Sequence, residues 1–284
     1  MGLLWILKWF PWRIRSLVAW PFAVLVYTLS GKRRRIARIN LELCFPEMSA
    51  QQRSKIIRQH FYAKVRTVLD YGVLWWGSNQ RVTSLVQIEN NEYYQQAFDS
   101  GKSVIVLTCH SFAVEFGGIR LSIDYPATSV AKQLKNPLLD YYLQHGRQRA
   151  GAIIYDRSAG LKPVIKSVRQ GCYLYYIPDE DHGGNNSDFA NFFGVSASTL
   201  TTLARLAKLC DAVVVPGICY YQAAKGNYAM HLLAPHNFSE YTKQQSAQEM
   251  NKIFEQLVSL ALPQYMWGMK LFNRRPPGDT NPYD

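Results

Sequence analysis

From residue 103 the chain alternates short apolar, β-branched runs with amphipathic stretches, and no other feature limits the fold as much. Strands are expected at 103–109, 127–131, 152–155, 172–177 and 212–219. Helices are expected at 113–122, 137–149, 160–170, 198–209 and 244–260. This alternation predicts an α/β fold, a mainly parallel sheet flanked by helices. Residues 32–76 read as helical, with Ser49 as an N-cap. The organisation expected is an N-terminal segment 1–31, a helical lead-in 32–100 and an α/β core 101–284.

In parallel sheets, ligands bind beyond the carboxyl ends of the strands. The first strand closes on His110 in "SVIVLTCHSFAVEFGG", with Glu115 five residues on. Five helical residues separate two side chains by about 140°, so this pair meets only if His110 lies in the strand-to-helix turn. A carboxylate on one imidazole nitrogen would fix the tautomer and raise the basicity of the other. The same residues also suit a hydrogen-bonded loop histidine. The fourth strand ends in "PDEDHGG", bringing Asp179, Glu180, Asp181 and His182, with Gly183 and Gly184 allowing a tight turn. A metal site would draw on His110, Glu115, Asp179, Asp181 and His182, but no tight ligand spacing such as H-E-x-x-H supports one. Arg147 and Arg149 close a predicted helix. They read either as favourable charge at a helix end or as cations aimed at an anionic intermediate. Cys109 is expected to point away from His110, because strand neighbours face opposite sides. There is no G-x-S-x-G elbow and no P-loop.

Charge is concentrated at one end. Residues 1–66 carry 13 Lys/Arg against 2 Asp/Glu, whereas residues 67–284 carry 19 against 18. That distribution argues against a nucleic-acid groove and for an anionic membrane surface or an acidic protein partner. The first 31 residues are apolar and tryptophan-rich, broken by Lys8, Arg13 and Arg15. Their longest uncharged run, Ser16 to Gly31, is marginal for a hydrocarbon core of about 30 Å. A short span or an interfacial anchor is expected, and "GKRRRIAR" favours a cytoplasmic location for the bulk of the chain. No A-x-A site supports a cleaved signal peptide. Five cysteines without a C-x-x-C pair argue against a disulfide framework or structural zinc, and for a reducing compartment.

Several segments, in order, resemble one family. "RIARINLELCFPEMS", "CHSFAVE", "KNPLLDYYLQHGRQRAG", "PDEDHG" with "FFGVSASTLTTLARLA", and "PQYMWGMKLFNRRPPG" are similar to segments of the late lauroyl/myristoyl acyltransferases of lipid A biosynthesis. The resemblance implies a glycerolipid-acyltransferase-like fold with an N-terminal membrane anchor, at the bacterial inner membrane with the catalytic domain on the cytoplasmic face. It implies transfer of a fatty acyl group from acyl carrier protein to a hydroxyl of a lipid A precursor, without cofactor, metal or acyl-enzyme. It implies His110 as general base, Glu115 as its orienting carboxylate, Arg147 as oxyanion stabiliser and Asp179 as a further functional acid. Lys132, Asn136, Arg149 and Asp181 fall to substrate binding. "VAKQLKN" departs from the family's usual Y-R-P-x-x-N, placing Lys132 where an Arg is common. A paralogue acylating another hydroxylated lipid, or a hydrolase using the same dyad on water, are the alternatives.

Overall fold

The computed structural model describes residues 1–181 and 186–284, so His182 and the Gly183–Gly184 turn lie outside the described residues. Four helices lead: α1 (Gly2–Leu7), α2 (Trp12–Leu29), α3 (Gly31–Cys44) and α4 (Ala50–Trp76). Next come α5 (Asn79–Leu85), β1 (Val86–Glu89), α6 (Asn91–Asp99), β2 (Ser103–Leu107), α7 (Val114–Asp124), β3 (Ala127–Ala131), α8 (Pro137–Arg149) and β4 (Ala152–Asp156). The chain closes with α9 (Lys162–Arg169), β5 (Tyr173–Tyr176), β6 (Ser187–Phe192), β7 (Val195–Leu200), α10 (Thr202–Cys210), β8 (Ala212–Gln222), β9 (Asn227–Leu232) and α11 (Lys243–Leu260).

Seven strands form one sheet in the order β1-β9-β8-β2-β5-β3-β4. All its pairings are parallel except β8 with β9. The alternation in β2 explains why the sheet is covered on both sides. Ile105 and Leu107 pack into one apolar layer with α10 and α11, and Val104 and Val106 into the other with α7. Gly117 and Gly118 let α7 lie close on the sheet. A Cβ at Gly117 would meet the Met230 sulfur at 2.7 Å, and one at Gly118 the Tyr175 ring at 3.0 Å.

Two expectations need correcting. Residues 198–209 are not one helix: β6 and β7 form an antiparallel hairpin, and α10 starts at Thr202. Phe193 and Gly194 both have positive φ at the hairpin turn, as a tight two-residue connection requires. The N-terminal segment holds no single helix long and apolar enough to cross a membrane, although α2 and α3 together pass that test as a pair bent by 86°. Instead α1 and α2 pack along α4. Arg15 reaches inward to Asp70, whose carboxylate also binds Arg66 and accepts from Tyr228 at 2.8 Å. Two guanidinium groups on one fully buried carboxylate fasten α2 to the body of the protein. The apolar residues the packing does not use face outward, among them Trp9, Leu17, Trp20 and Leu29.

Candidate active site

β2 and β5 are neighbours in register, with Leu107 opposite Tyr176. His110 and Asp179 each lie three residues past that pair, so parallel pairing carries them to the same height beyond the sheet. The Asp179 carboxylate grips His110 twice. Oδ2 accepts from the His110 backbone N–H at 2.8 Å, and Oδ1 lies 2.5 Å from the ring Nδ1. In the neutral ring Nδ1 therefore carries the proton and Nε2 is the basic nitrogen. Asp179 is buried, while the His110 side chain keeps 21% of its surface open toward the crevice. Nε2 also lies 3.6 Å from Glu180 Oε1. Burial works to lower the His110 pKa, but Asp179 foremost, then Glu180 and Glu115, outweigh it and push the pKa up to about 9.

A segment from the far end of the chain braces this turn. Met266 N–H donates to His110 C=O at 2.9 Å, Phe112 N–H donates to Gln264 C=O at 3.1 Å, and the Ser111 hydroxyl donates to Cys219 C=O at 2.6 Å. The buried Tyr265 phenol has its pKa raised by burial and by the neighbouring Asp179. His60 packs its ring on Phe112 at 4.7 Å, and burial holds its pKa down to about 4.

The carboxylate expected to orient His110 does something else. Glu115 stands in the first turn of α7, on the side facing α8, and makes a two-pronged ion pair with Arg147. Arg147 Nε donates to Glu115 Oε2 at 2.9 Å, and Nη2 donates to Oε1. The partner of His110 is thus Asp179, and the partner of Glu115 is Arg147. Both side chains of the second pair are 18% exposed, and Tyr71 from α4 lies beside them.

Arg149, Asn136 and Asp181, also named from the sequence, are engaged in holding the fold. Arg149 donates to the Leu74 carbonyl at 2.7 Å and to the Gly77 carbonyl, satisfying orphan acceptors at the end of α4. Asn136 caps α8, its side chain accepting from Leu139 N–H at 3.1 Å. Asp181 is buried and accepts from the Arg274 backbone N–H at 3.0 Å, tying the turn after β5 to the C-terminal segment. Lys132 is exposed at the end of β3. Cys109 points into the opposite apolar layer, and burial raises its thiol pKa well above the ordinary value. Among the described residues no group of three or more His, Cys, Asp or Glu could hold a metal ion. Glu180, Tyr265 and Tyr71 also stand at the site. Glu180 sits in the quoted acidic run, but the two tyrosines carry no local signal.

Beside the Glu115–Arg147 pair, a narrow cleft runs between α7, α8 and strands β3 to β5. Ile119, Val130 and Ile154 line it. Its hydroxyls are spent on backbone carbonyls: Ser122 on Gly118 at 2.7 Å, Thr128 on Ile153 at 3.1 Å and Ser129 on Tyr175 at 2.8 Å. With those donors satisfied internally, the lining favours an apolar guest.

Comparison with known proteins identifies relatives along nearly the whole chain. The family described as "Bacterial lipid A biosynthesis acyltransferase" matches residues 1–274. A lipid A biosynthesis acyltransferase of Haemophilus influenzae is 33% identical over 275 residues, covering 96% of this chain and 86% of that protein. The lipid A biosynthesis myristoyltransferase of Escherichia coli K12 is 32% identical over 257 residues, covering 90% of this chain and 80% of that one. The lauroyltransferase of the same organism is 28% identical over 285 residues, covering 100% and 93%. With the match running unbroken through both halves of the candidate site, the chain belongs to the bacterial lipid A biosynthesis acyltransferase family.

Proposed function

We propose that this protein is a membrane-associated O-acyltransferase. It moves a fatty acyl group from an acyl-carrier-protein thioester to a hydroxyl of a lipid A precursor, at the cytoplasmic face of the bacterial inner membrane. The observation that carries the reading is the His110–Asp179 pair, a histidine with Nδ1 held by a buried carboxylate and Nε2 left for a substrate proton. The acceptor oxygen attacks the thioester carbonyl as Nε2 takes its proton, and the imidazolium returns that proton to the leaving thiolate. Such a base contributes about 10²–10⁴-fold. Glu115 holds Arg147 through Nε and Nη2, which leaves Nη1 to stabilise the tetrahedral oxyanion. Direct transfer fits the nearby side chains: Cys109 is buried with a raised pKa, and the Ser111 hydroxyl is buried and donated to a carbonyl. The outward apolar residues of α1 and α2, followed by the basic α3, suit seating in an anionic lipid surface.

The test is an assay with purified protein, an acyl-carrier-protein thioester and a lipid A precursor, read by mass spectrometry. One added acyl group on the acceptor is expected, lost about 10²–10⁴-fold in a folded His110→Ala variant. Free fatty acid with no acylated acceptor would instead establish a hydrolase.

The cleft between α7 and α8 is the place we assign to the acyl chain. Ser122, near the end of α7, and Ala127 and Ala152, at the starts of β3 and β4, line it. Ser122→Leu is expected to shorten the preferred donor. Across a series of donor lengths, kcat/KM for the longest accepted chain should fall about tenfold or more per excluded methylene. An unchanged length profile would remove the cleft from the acyl path.

A further inference from the structure

Helix α8 carries apolar side chains on two faces, and only one of them is used by the fold. Leu139, Tyr142 and Leu143 turn inward onto the layer that also holds Trp75. Leu134, just before the helix, and Leu138 and Tyr141 on it are 39%, 54% and 60% exposed. Packing does not account for this outer stripe. It is nonetheless built: the Asp140 carboxylate accepts the Leu134 N–H at 2.9 Å, fixing the segment before the helix against its first turn. Lys132 precedes the stripe in sequence and Lys135 lies between Leu134 and Leu138, both exposed.

The stripe connects with the apolar face of α1 through a run of contacts. Lys8 donates to the Trp76 carbonyl at 3.3 Å, and its ammonium lies 4.7 Å from the Trp9 ring and 5.3 Å from the Trp5 ring. Trp76 meets Tyr142 edge-on at 5.0 Å, and Tyr142 meets Tyr141 at 5.3 Å. A chain of contacts through the buried Lys8 and the half-buried Trp76 and Tyr142 therefore links α1 to α8. Tyrosine, tryptophan, leucine and lysine are the side chains that suit the boundary between acyl chains and headgroups.

We propose that Leu134, Leu138 and Tyr141 form a second lipid contact, which seats α8 in the surface of an anionic bilayer beside α1 and α2. This inference rests on the membrane reading above and adds to it. The helix that carries Arg147 would itself touch the bilayer, so the crevice opens where a lipid acceptor resides. The occupant is a lipid surface rather than the acidic carrier protein, because the exposed side chains of the stripe are apolar and aromatic, with Lys132 and Lys135 beside them to meet anionic headgroups.

An environment-sensitive dye placed on single cysteines tests this. Cys172, the half-buried thiol, is replaced by Ser in every labelled variant, and the other four cysteines are buried. With phosphatidylglycerol–phosphatidylethanolamine vesicles, dye on Leu138→Cys should brighten and shift blue as dye on Leu17→Cys does. Dye on Gln170→Cys, at the opposite end of the sheet, should not respond. A response at 17 without one at 138 overturns the second contact and leaves the N-terminal one standing. No response at either position overturns both. A response at 138 to acyl carrier protein but not to vesicles overturns the lipid assignment in favour of a protein surface. A Leu138→Ser/Tyr141→Ser double variant gives the kinetic readout. We expect KM for a vesicle-borne acceptor to rise about tenfold or more, as for loss of one buried apolar side chain. Turnover on detergent-dispersed acceptor should stay unchanged, and equal loss in both formats would overturn the proposal.

Discussion

Replacing Asp179 with Asn should lower the turnover of acyl transfer by about 10²–10⁴-fold while leaving the fold intact. The substitution keeps the shape of the side chain and one acceptor for the His110 backbone N–H. It removes the charge that fixes the ring tautomer and stabilises the imidazolium formed during proton transfer. The pH profile supplies the specific signature. In the wild-type protein the His110 pKa is pushed up to about 9, so kcat/KM should climb through the neutral range as the ring deprotonates. Without the Asp179 charge the largest raising influence is gone while burial still lowers the pKa, so the acid limb must move to lower pH. Stability should respond in the matching sense. A folded-state pKa above the ordinary 6.5 means that the interaction stabilises fully below that value and is lost as pH rises through about 9. In Asp179→Asn that decline between the two values should flatten. A variant with wild-type turnover and an unmoved limb would return the orienting role to another carboxylate.

Breaking the Glu115–Arg147 pair from one side should be the most damaging change to stability near the site. Both side chains are mostly out of water, so Glu115→Ala leaves an uncompensated guanidinium, and Arg147→Ala leaves an uncompensated carboxylate. Single removals from buried pairs typically cost about 3–5 kcal/mol, and the residual exposure here places the expectation toward the lower figure. Replacing both partners at once, as Glu115→Leu with Arg147→Met, should recover much of that loss in chemical denaturation. Catalysis should not recover with it. Loss of the Arg147 donor is expected to cost about 10²–10³-fold in kcat, as for other oxyanion donors. Recovery of stability without activity separates a charged group acting on the reaction from one that only joins α7 to α8. Recovery of both would assign the pair to the fold alone.

Much of this arrangement is legible along the chain. The β-branched runs, the glycine pair after Glu115 and the acidic turn after Pro178 are local signals, and they mark where strands end and polar groups begin. The hairpin of β6 and β7 is harder to read, because V-S-A-S-T-L suits strand and helix similarly, and only pairing across the Phe193–Gly194 turn decides it. The membrane-like character of the first 31 residues is also visible in sequence, but their conformation is not. A chain with Arg15 in an apolar stretch reads as an interrupted span until Asp70, fifty-five residues away, supplies its partner.

The sequence by itself determined the α/β class, the strand ends that carry His110 and Asp179, and the concentration of positive charge in the first quarter. Only the tertiary structure decided which side chains meet. Five residues separate His110 from Glu115, and sixty-nine separate His110 from Asp179, yet the distant residue is the partner. The reason is the order of strands. β5 returns to lie beside β2, so equal steps past a paired register bring His110 and Asp179 together, while the start of α7 turns Glu115 toward α8 and Arg147. Strand order follows from how whole layers pack, and no spacing along the chain encodes it.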